Sequence, residues 1–329
     1  MRQIKDIESL LGELAAHRSR RVLLTFHSMG DTDAIASAIA LSRLMIKPTV
    51  ATADTITSNA ARMLRRSGHG AERIEHSFPP DVDAVVITDA NDFDQCGAFK
   101  ERLSSFAGPV IIVDHHAPTE ISGDNVLVFD DESFNSTSSI AYEVLKLARL
   151  AINENLAELL LMGIISDSAE LKNASAKTFI EMGELMGIAH MDYQSVLDDM
   201  RHIAPPESRA ETMRDLASAS IEVKGGLLIV HGVSNGPANL VADDAIRVGA
   251  DLAIFRSGGG NEASFSARLR PPLDRQYGIH LGNLMKELAP IINGTGGGHP
   301  CAAGAYGTGI ANADAFLRKL LERVEETSE

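Results

Sequence analysis

Cysteine and long apolar runs are scarce in this chain of 329 residues, and each scarcity disfavours a class of protein. The two cysteines, Cys96 and Cys301, lie far apart in no C-x-x-C pair, which argues against a disulfide scaffold and a thiolate zinc site. Residues 1–21 form a charged, amphipathic helix pattern, and no segment approaches the roughly 18 apolar residues of a membrane span. We therefore expect a cytoplasmic protein without a membrane partner.

Tryptophan is absent, and aromatic residues make up only 5% of the chain, whereas hydrophobic residues make up 44%. This composition indicates an aliphatic α/β core, and the length indicates about two domains. Basic residues are also few: 30 lysines and arginines against 45 acidic residues give a formal net charge of −15. Such a charge disfavours the broad basic surface that binds long duplexes, so we expect no duplex DNA partner. A small anionic substrate bound by a few local basic groups remains compatible.

Three polar residues follow a short apolar segment near the middle of the chain. Residues 111–113 are typical of a buried parallel strand, and the triplet Asp114-His115-His116 comes directly after them. Open α/β sheets bind ligands at the carboxyl ends of their strands. A helix-capping aspartate beside two solvated histidines would be the alternative if the triplet stood alone.

Other junctions between an apolar segment and a loop have the same kinds of side chain. They are His27, Asp31 and Asp33 after the strand at 22–26, Asp89 after the strand at 84–87, and Asp167 after the helix at 159–165. Carboxylate oxygen and imidazole nitrogen suit divalent ions such as Mn²⁺. Clustered carboxylates would also repel one another strongly without cations between them. The pattern predicts two divalent ions, Mn²⁺ first, with Mg²⁺ or Co²⁺ as alternatives.

Strand and helix patterns alternate through the first half, which predicts an N-terminal doubly wound, mostly parallel sheet domain at residues 1–190. The expected strands lie at 22–26, 49–51, 82–87, 110–113 and 126–129, and the later helices at 136–150, 154–166 and 175–187. Lys47-Pro48 is expected to end the helix that Asp31 opens. The hydroxyls of Ser136 and Thr137 favour a helix cap, and a phosphate bound at that helix N-terminus is the alternative.

Residues 191–219 are polar, helical and contain Pro205-Pro206, which predicts a linker. Residues 220–329 then predict a smaller C-terminal α/β domain. Its expected strands lie at 220–223, 227–230, 252–255 and 263–269, and its helices at 237–248, at 279–288 and from 312.

The second domain contains one prominent stretch, in which Gly296, Gly297 and Gly298 precede His299. Consecutive glycines let backbone N–H groups approach a ligand closely, which predicts an anion-binding nest with His299 at its lip. A flexible turn with a solvated histidine is the alternative. Arg268, in a strand-like segment upstream, is our first choice for binding a phosphate.

Taken together, these motifs resemble the DHH phosphoesterase superfamily, which includes RecJ-like proteins. The H-x-x-x-D-x-D spacing at His27, Asp31 and Asp33, the lone aspartate after a strand, the Asp-His-His triplet and the later aspartate occur in the family's order. The stretch G-G-G-H-x-x-A-A-G resembles the family's associated C-terminal substrate-binding domain. Ser28-Met29-Gly30 and Ser168-Ala169 depart from the common pattern without removing a ligand.

The resemblance implies a two-metal, Mn²⁺-dependent hydrolase with its active site in the cleft between the domains. One ion would be held by His27, Asp31 and Asp89, and the other by Asp33, Asp89, His115 and Asp167, with Asp89 bridging. His116 would contact the substrate phosphate and Asp114 would orient it, so these two are the catalytic candidates. A water or hydroxide between ions about 4 Å apart would be the nucleophile.

The compact two-domain form resembles the oligoribonuclease and pAp-phosphatase branch, whose members are also called nanoRNases. This implies hydrolysis of short single-stranded oligonucleotides or of small nucleotides such as pAp. Two alternatives stay open: a cyclic-dinucleotide phosphodiesterase, and a catalytically silent sensor that binds nucleotides. The sequence also leaves open whether the protein forms a homodimer.

Overall fold

The computed structural model describes residues 1–68, 74–119, 121–200 and 205–328. The chain divides into two compact units, Met1–His202 and Ile203–Glu329, and the predicted α/β class is confirmed in both. The predicted linker at 191–219 is divided between them: the helix Tyr193–Met200 belongs to the first unit and the helix Pro206–Ala217 to the second. Residues 201–204 of that linker lie outside the described residues. No helix in the described ranges is both long and apolar enough to cross a bilayer.

The first unit is built on a sheet whose strands all run parallel. The strands are β1 (Arg2–Gln3), β2 (Arg21–Phe26), β3 (Lys47–Val50), β4 (Ala84–Thr88), β5 (Val110–Asp114) and β6 (Val126–Asp130). Their order across the sheet is β1-β6-β5-β4-β2-β3. The central strands β4 and β5 are buried along their whole length, as expected for strands covered on both faces.

Helices and apolar side chains cover both faces of this sheet. On one face Leu24 and Phe26 of β2 belong to a core that includes Ile35, while Leu23 points to the other face and a core that includes Phe99. The doubly wound prediction is therefore confirmed. The helices are α1 (Ile7–Ala16), α2 (Thr32–Ser42), α3 (Ser58–Arg66), α4 (Lys100–Ser104), α5 (Thr137–Leu147), α6 (Glu154–Asp167), α7 (Ala176–Ala189) and α8 (Tyr193–Met200).

The second unit has a mixed sheet in which β8 and β9 pair in parallel and the other neighbours pair antiparallel. Its strands are β7 (Ser220–Lys224), β8 (Leu227–Val233), β9 (Leu252–Ser257), β10 (Ala263–Leu269), β11 (Gly294–Gly298) and β12 (Ala302–Gly307). Their order is β11-β12-β10-β9-β8-β7. The helices are α9 (Pro206–Ala217), α10 (Ala238–Val248), α11 (Leu273–Tyr277), α12 (Leu281–Leu288) and α13 (Ala313–Ser328).

The end of the second helix differs from the sequence prediction. Helix α2 ends at Ser42, and Lys47 and Pro48, which the sequence assigns to the helix end, lie in β3. Strand β3 is at the edge of the sheet, where a proline without an N–H donor is tolerated.

The glycine stretch also differs, because it forms strand β11 where the sequence predicts a nest. Within β11 only Gly298 has a positive φ, 136°, so the alternating left-handed backbone of a nest is missing. A Cβ on Gly296 would stand 2.4 Å from the carbonyl oxygen of Met285 in α12. Glycine is therefore needed at this position because α12 packs directly on the strand.

Candidate metal centre

The residues predicted to bind metal follow neighbouring parallel strands. His27 comes after β2, Asp89 after β4 and His115 after β5, and β5, β4 and β2 are adjacent in the sheet. Since the strands are parallel, their carboxyl ends meet at one edge. The sheet topology thus brings together residues that are far apart in the sequence.

Two helices complete the group at this edge. Asp31 is the N-cap of α2, where its Oδ1 accepts the N–H of Ala34 at 3.1 Å, and Asp33 lies in the first turn. Asp167 is the last residue of α6, which packs against α2. The structure thus brings all six predicted ligands together, and their role in binding metal remains a prediction.

Asp89 lies between two groups of potential ligands. Its Oδ2 is 3.5 Å from Nε2 of His27, which is also 3.7 Å from Oδ1 of Asp31. Its Oδ1 is 3.5 Å from Nε2 of His115. In each group, His27/Asp31/Asp89 and Asp33/Asp89/His115/Asp167, one donor atom per residue lies within 4.8 Å of all the others. The two oxygens of Asp89 therefore face different groups of potential ligands.

The donor atoms fit divalent ions, and one of them lacks a hydrogen bond. Nε2 of His115 is buried and makes no hydrogen bond to any described residue. It is 2.9 Å from Oδ2 of Asp167, which is an ion-pair distance, but the two groups are not oriented as in a hydrogen bond. A buried nitrogen that faces carboxylates without bonding to them is the arrangement that a shared cation would complete.

The pKa shifts of these residues agree with a cluster in which carboxylates outnumber positive charges. Burial lowers the pKa of His27, but its contacts with the negatively charged Asp31 and Asp89 outweigh burial and raise the pKa to about 10. Burial likewise lowers the pKa of His115, and Asp167 together with its neighbouring carboxylates raises it to about 9. Burial and the charges of Asp89 and Asp167 raise the pKa of Asp33 well above its usual range. The clustered carboxylates favour positive charge near them, and bound protons supply it when no metal ion does.

The N-terminus of α5 holds two of the carboxylates, a role that the sequence analysis missed. The N–H groups of Thr137 and Ser138 donate to the two oxygens of Asp33 at 2.7 and 2.8 Å. The Thr137 hydroxyl donates to Oδ1 of Asp89 at 3.1 Å. Ser136 caps the helix by accepting the N–H of Ser139, as predicted. The helix N-terminus thus binds Asp33, and the phosphate alternative gains no support.

Asp114 and His116 form a pair beside this cluster. Oδ1 of Asp114, which is fully buried, accepts the His115 N–H at 2.8 Å and lies 2.9 Å from Nδ1 of His116. This contact raises the pKa of His116 and fixes the orientation of its ring. The His116 side chain is 57% exposed, so it remains accessible to a substrate. The role of Asp114 in positioning His116 for catalysis and the contact of His116 with a phosphate remain predictions.

In the second unit, the register of the sheet places the predicted substrate residues near one another. Arg268 of β10 pairs with Ala302 of β12, whose carbonyl accepts the N–H of His299 at 2.8 Å. Gly297 pairs with Gly304, and a Cβ on Gly297 would meet nothing within 4 Å. Nε of Arg268 donates to Asp243 at 2.6 Å, so its guanidinium already has one acidic partner. Whether these residues bind substrate remains a prediction.

Comparison with known proteins matches each unit to a family model. The model described as the DHH family, N-terminal domain, matches residues 21–164, and the model of the DHHA1 domain matches residues 227–326. Asp167 lies just beyond the first match.

Relatives match much of the chain in sequence, and one solved structure shares its fold. An uncharacterised protein of Methanocaldococcus jannaschii is 27% identical over 291 residues, which is 86% of each chain. A probable manganese-dependent inorganic pyrophosphatase of Streptococcus equi subsp. zooepidemicus is 29% identical over 226 residues, covering 65% of this chain and 71% of that one. The structure of an exopolyphosphatase-related protein from Bacteroides fragilis has the same fold, with a TM-score of 0.76 and 15% identity over 98% of this chain and 97% of the other. With two domain models matched in order along one chain, the protein belongs to the DHH superfamily, and its second unit contains a DHHA1 domain.

Proposed function

We propose that the protein is a metal-dependent phosphoesterase that uses two divalent ions, Mn²⁺ first, to hydrolyse small nucleotides or very short oligonucleotides. The observation that supports this most strongly is the position of Asp89, with one oxygen toward His27 and the other toward His115. Two ions that share a carboxylate can act on the same phosphoryl group. The manganese dependence named for the Streptococcus relative favours Mn²⁺ over Mg²⁺ or Co²⁺.

The residues around the ions have separate tasks in this proposal. His27 and Asp31 would hold one ion, Asp33, His115 and Asp167 would hold the other, and Asp89 would hold both. When bound, the ions lower the pKa of a coordinated water and stabilise the charge that develops on the phosphoryl oxygens.

His116 and Asp114 serve the substrate in this proposal. His116 donates a hydrogen bond to a phosphate oxygen, because Asp114 orients its ring and favours its protonated form. Asp114 does not touch the phosphate itself, and its loss would act through His116.

The second unit supports the choice of a nucleotide substrate. Gly297, which pairs with Gly304, faces open space, and this lets a sugar or a phosphate approach the backbone closely there. Arg268 and His299 flank this position and supply the few local donors that an anionic ligand requires. The net charge of −15 favours small substrates over long nucleic acids.

A panel of Mn²⁺-dependent assays tests this proposal. The substrates are pAp, di- to pentanucleotides, a cyclic dinucleotide and pyrophosphate, the last included because of the pyrophosphatase named among the relatives. We expect turnover of pAp or of the shortest oligonucleotides, with kcat/KM falling as the chain lengthens. Faster turnover of pyrophosphate or of the cyclic dinucleotide would contradict the assigned substrate. No turnover of any substrate would favour a silent sensor.

A further inference from the structure

A cavity of about 320 Å³ lies within the first unit, between helices α2, α3, α6 and α8. Its floor is apolar and is formed by Met63, Ile165, Leu197 and Met200. Its rim has the exposed residues Asn59, Ser166, Glu170 and Lys172, with Ala169 beside them, and the buried Thr32 lies deeper, where its hydroxyl donates to the sulfur of Met63 at 3.1 Å. An apolar floor with a few polar groups at the rim is typical of small-ligand sites.

Two of the lining residues are neighbours in sequence of candidate metal ligands. Thr32 lies between Asp31 and Asp33 in the first turn of α2, and Ser166 directly precedes Asp167. A molecule whose phosphate is bound at the ions could therefore place its neighbouring group in this cavity.

The rim is shaped by a strained turn that follows α6. Ala169, Glu170 and Leu171 have φ values of 52°, 56° and 69°, a left-handed run that residues with side chains rarely adopt consecutively. Tyr193 holds the turn by donating its hydroxyl to the carbonyl of Glu170 at 3.2 Å. Strained backbone conformations persist mainly at functional sites. Here the strain places Glu170 and Lys172 at the rim of the cavity.

We propose that this cavity binds the nucleoside part of the nucleotide whose phosphate is bound at the metal centre, an inference that rests on the proposed function. The apolar floor provides polarisable methionine and leucine surface for the faces of a base. Asn59 can both donate to and accept from the base edge, and Glu170 can accept the ribose hydroxyls. Lys172 is exposed, has no side-chain partner among the described residues, and is placed to pair with a further phosphate. The volume accommodates about one nucleoside, which agrees with short substrates.

The test introduces a bulky side chain at the cavity and measures the affinity for a nucleotide. Asn59→Phe places a ring over the floor, and Arg65→Phe is the matched control, because Arg65 is exposed on the same helix but does not line the cavity. With AMP as the probe in isothermal titration calorimetry, we expect Asn59→Phe to weaken binding by roughly tenfold or more. Arg65→Phe should bind AMP like the wild type. Inorganic phosphate, which does not reach the cavity, should bind all three proteins alike.

A second pair of variants tests the charge at the rim. Lys172→Ala should weaken pAp binding more than AMP binding, because only pAp has a second phosphate. The control is Lys47→Ala, which removes an exposed lysine on the edge strand and should change neither affinity. AMP binding that is absent in the wild type, or unchanged in Asn59→Phe, would overturn the proposal. The proposed function is tested by a different result, because it fails if the wild type shows no Mn²⁺-dependent turnover. Even then, the AMP measurements would decide whether the cavity binds a nucleoside.

Discussion

Asp89 combines a rare backbone conformation with a central place in the site. Its φ is 57°, it is almost fully buried, and its N–H donates to the carbonyl of Val113 in the neighbouring strand. Aspartate and asparagine tolerate this left-handed conformation better than most residues do. The conformation turns the side chain so that each oxygen faces a different histidine. A strained residue at this place is consistent with selection for chemistry over stability.

The histidine pKa values lead to a prediction about protons. Only a neutral imidazole can bind an ion, so Mn²⁺ must displace the protons that His27 and His115 hold up to about pH 10 and 9. We expect binding at pH 7.5 to release about two protons per chain from these histidines, in addition to any proton that Asp33 holds because of its raised pKa. Calorimetry in buffers of different ionisation enthalpy measures this number, and His27→Gln should release about one proton fewer. Mn²⁺ affinity that does not change between pH 6.5 and 9 would contradict the assignment.

The same pKa shifts determine how stability varies with pH. The folded-state pKa of His27 is raised above its ordinary value of 6.5, so its stabilising contribution is complete below pH 6.5 and is lost as the pH rises toward 10. The ion-free protein should therefore lose stability over this window. The increase in Tm that Mn²⁺ produces should become larger over the same range.

At the residue scale, the sequence predicts which side chains the fold brings together, because each follows an apolar segment whose end can be located from its pattern. It does not reveal how they are held. Asp33 is buried and bonded to the N-terminus of α5, more than a hundred positions later in the chain. The hydroxyl residues that start α5 have a sufficient local explanation as a cap, so no sequence signal identifies their second partner.

At the scale of elements, α6 must approach α5 closely to complete the site. A Cβ on Gly163 of α6 would stand 2.2 Å from the hydroxyl oxygen of Ser138 and 3.1 Å from Oδ1 of Asp33. A glycine inside a helix destabilises the helix, but here the absence of a side chain at Gly163 leaves room for Ser138 and Asp33, which are joined by a hydrogen bond. The contact of α6 with α5 and α2 thus fixes both Asp33 and Asp167.

Gly163→Ala tests this contact. Because the added methyl group would displace Ser138, we expect a loss of about 1–3 kcal/mol in the free energy of unfolding together with weaker Mn²⁺ binding. Gly183→Ala is the control, since Gly183 lies in α7 and a Cβ there would meet nothing within 4 Å. That change should stabilise the protein by about 0.5–1 kcal/mol. Urea unfolding and Mn²⁺ titration of both variants measure these effects, and equal behaviour of the two would refute the role of Gly163.

The sequence does not predict two segments whose backbone conformation depends on contacts with distant residues. The sequence of β11 suits both a nest and a strand, and the choice depends on α12, which packs against Gly296. The left-handed turn at Ala169–Leu171 contains no glycine, so nothing local indicates it. The strands β2, β4 and β5, by contrast, have apolar patterns that determine both their type and their ends.

At the scale of the whole molecule, the two units are expected to have different tasks. The candidate ligands all belong to the unit Met1–His202, whereas Arg268 and His299 belong to the unit Ile203–Glu329. We expect His299→Ala and Arg268→Ala to lower kcat/KM for nucleotides by about tenfold or more while leaving the manganese content unchanged. A bare aryl phosphodiester should be hydrolysed almost as well by the variants as by the wild type. Loss of manganese, or an equal loss with both substrates, would contradict this division.

The manganese content of the purified protein tests the two-ion centre most directly. The variants are Asp89→Ala and its control Asp94→Ala, because Asp94 is 64% exposed, pairs with Lys100 and belongs to neither ligand group. With Asp89 bridging, the wild type and Asp94→Ala should each bind two Mn²⁺ per chain, and Asp89→Ala should bind fewer than one and lose turnover. A wild type that binds a single ion, or an Asp89→Ala protein that retains two, would contradict the account.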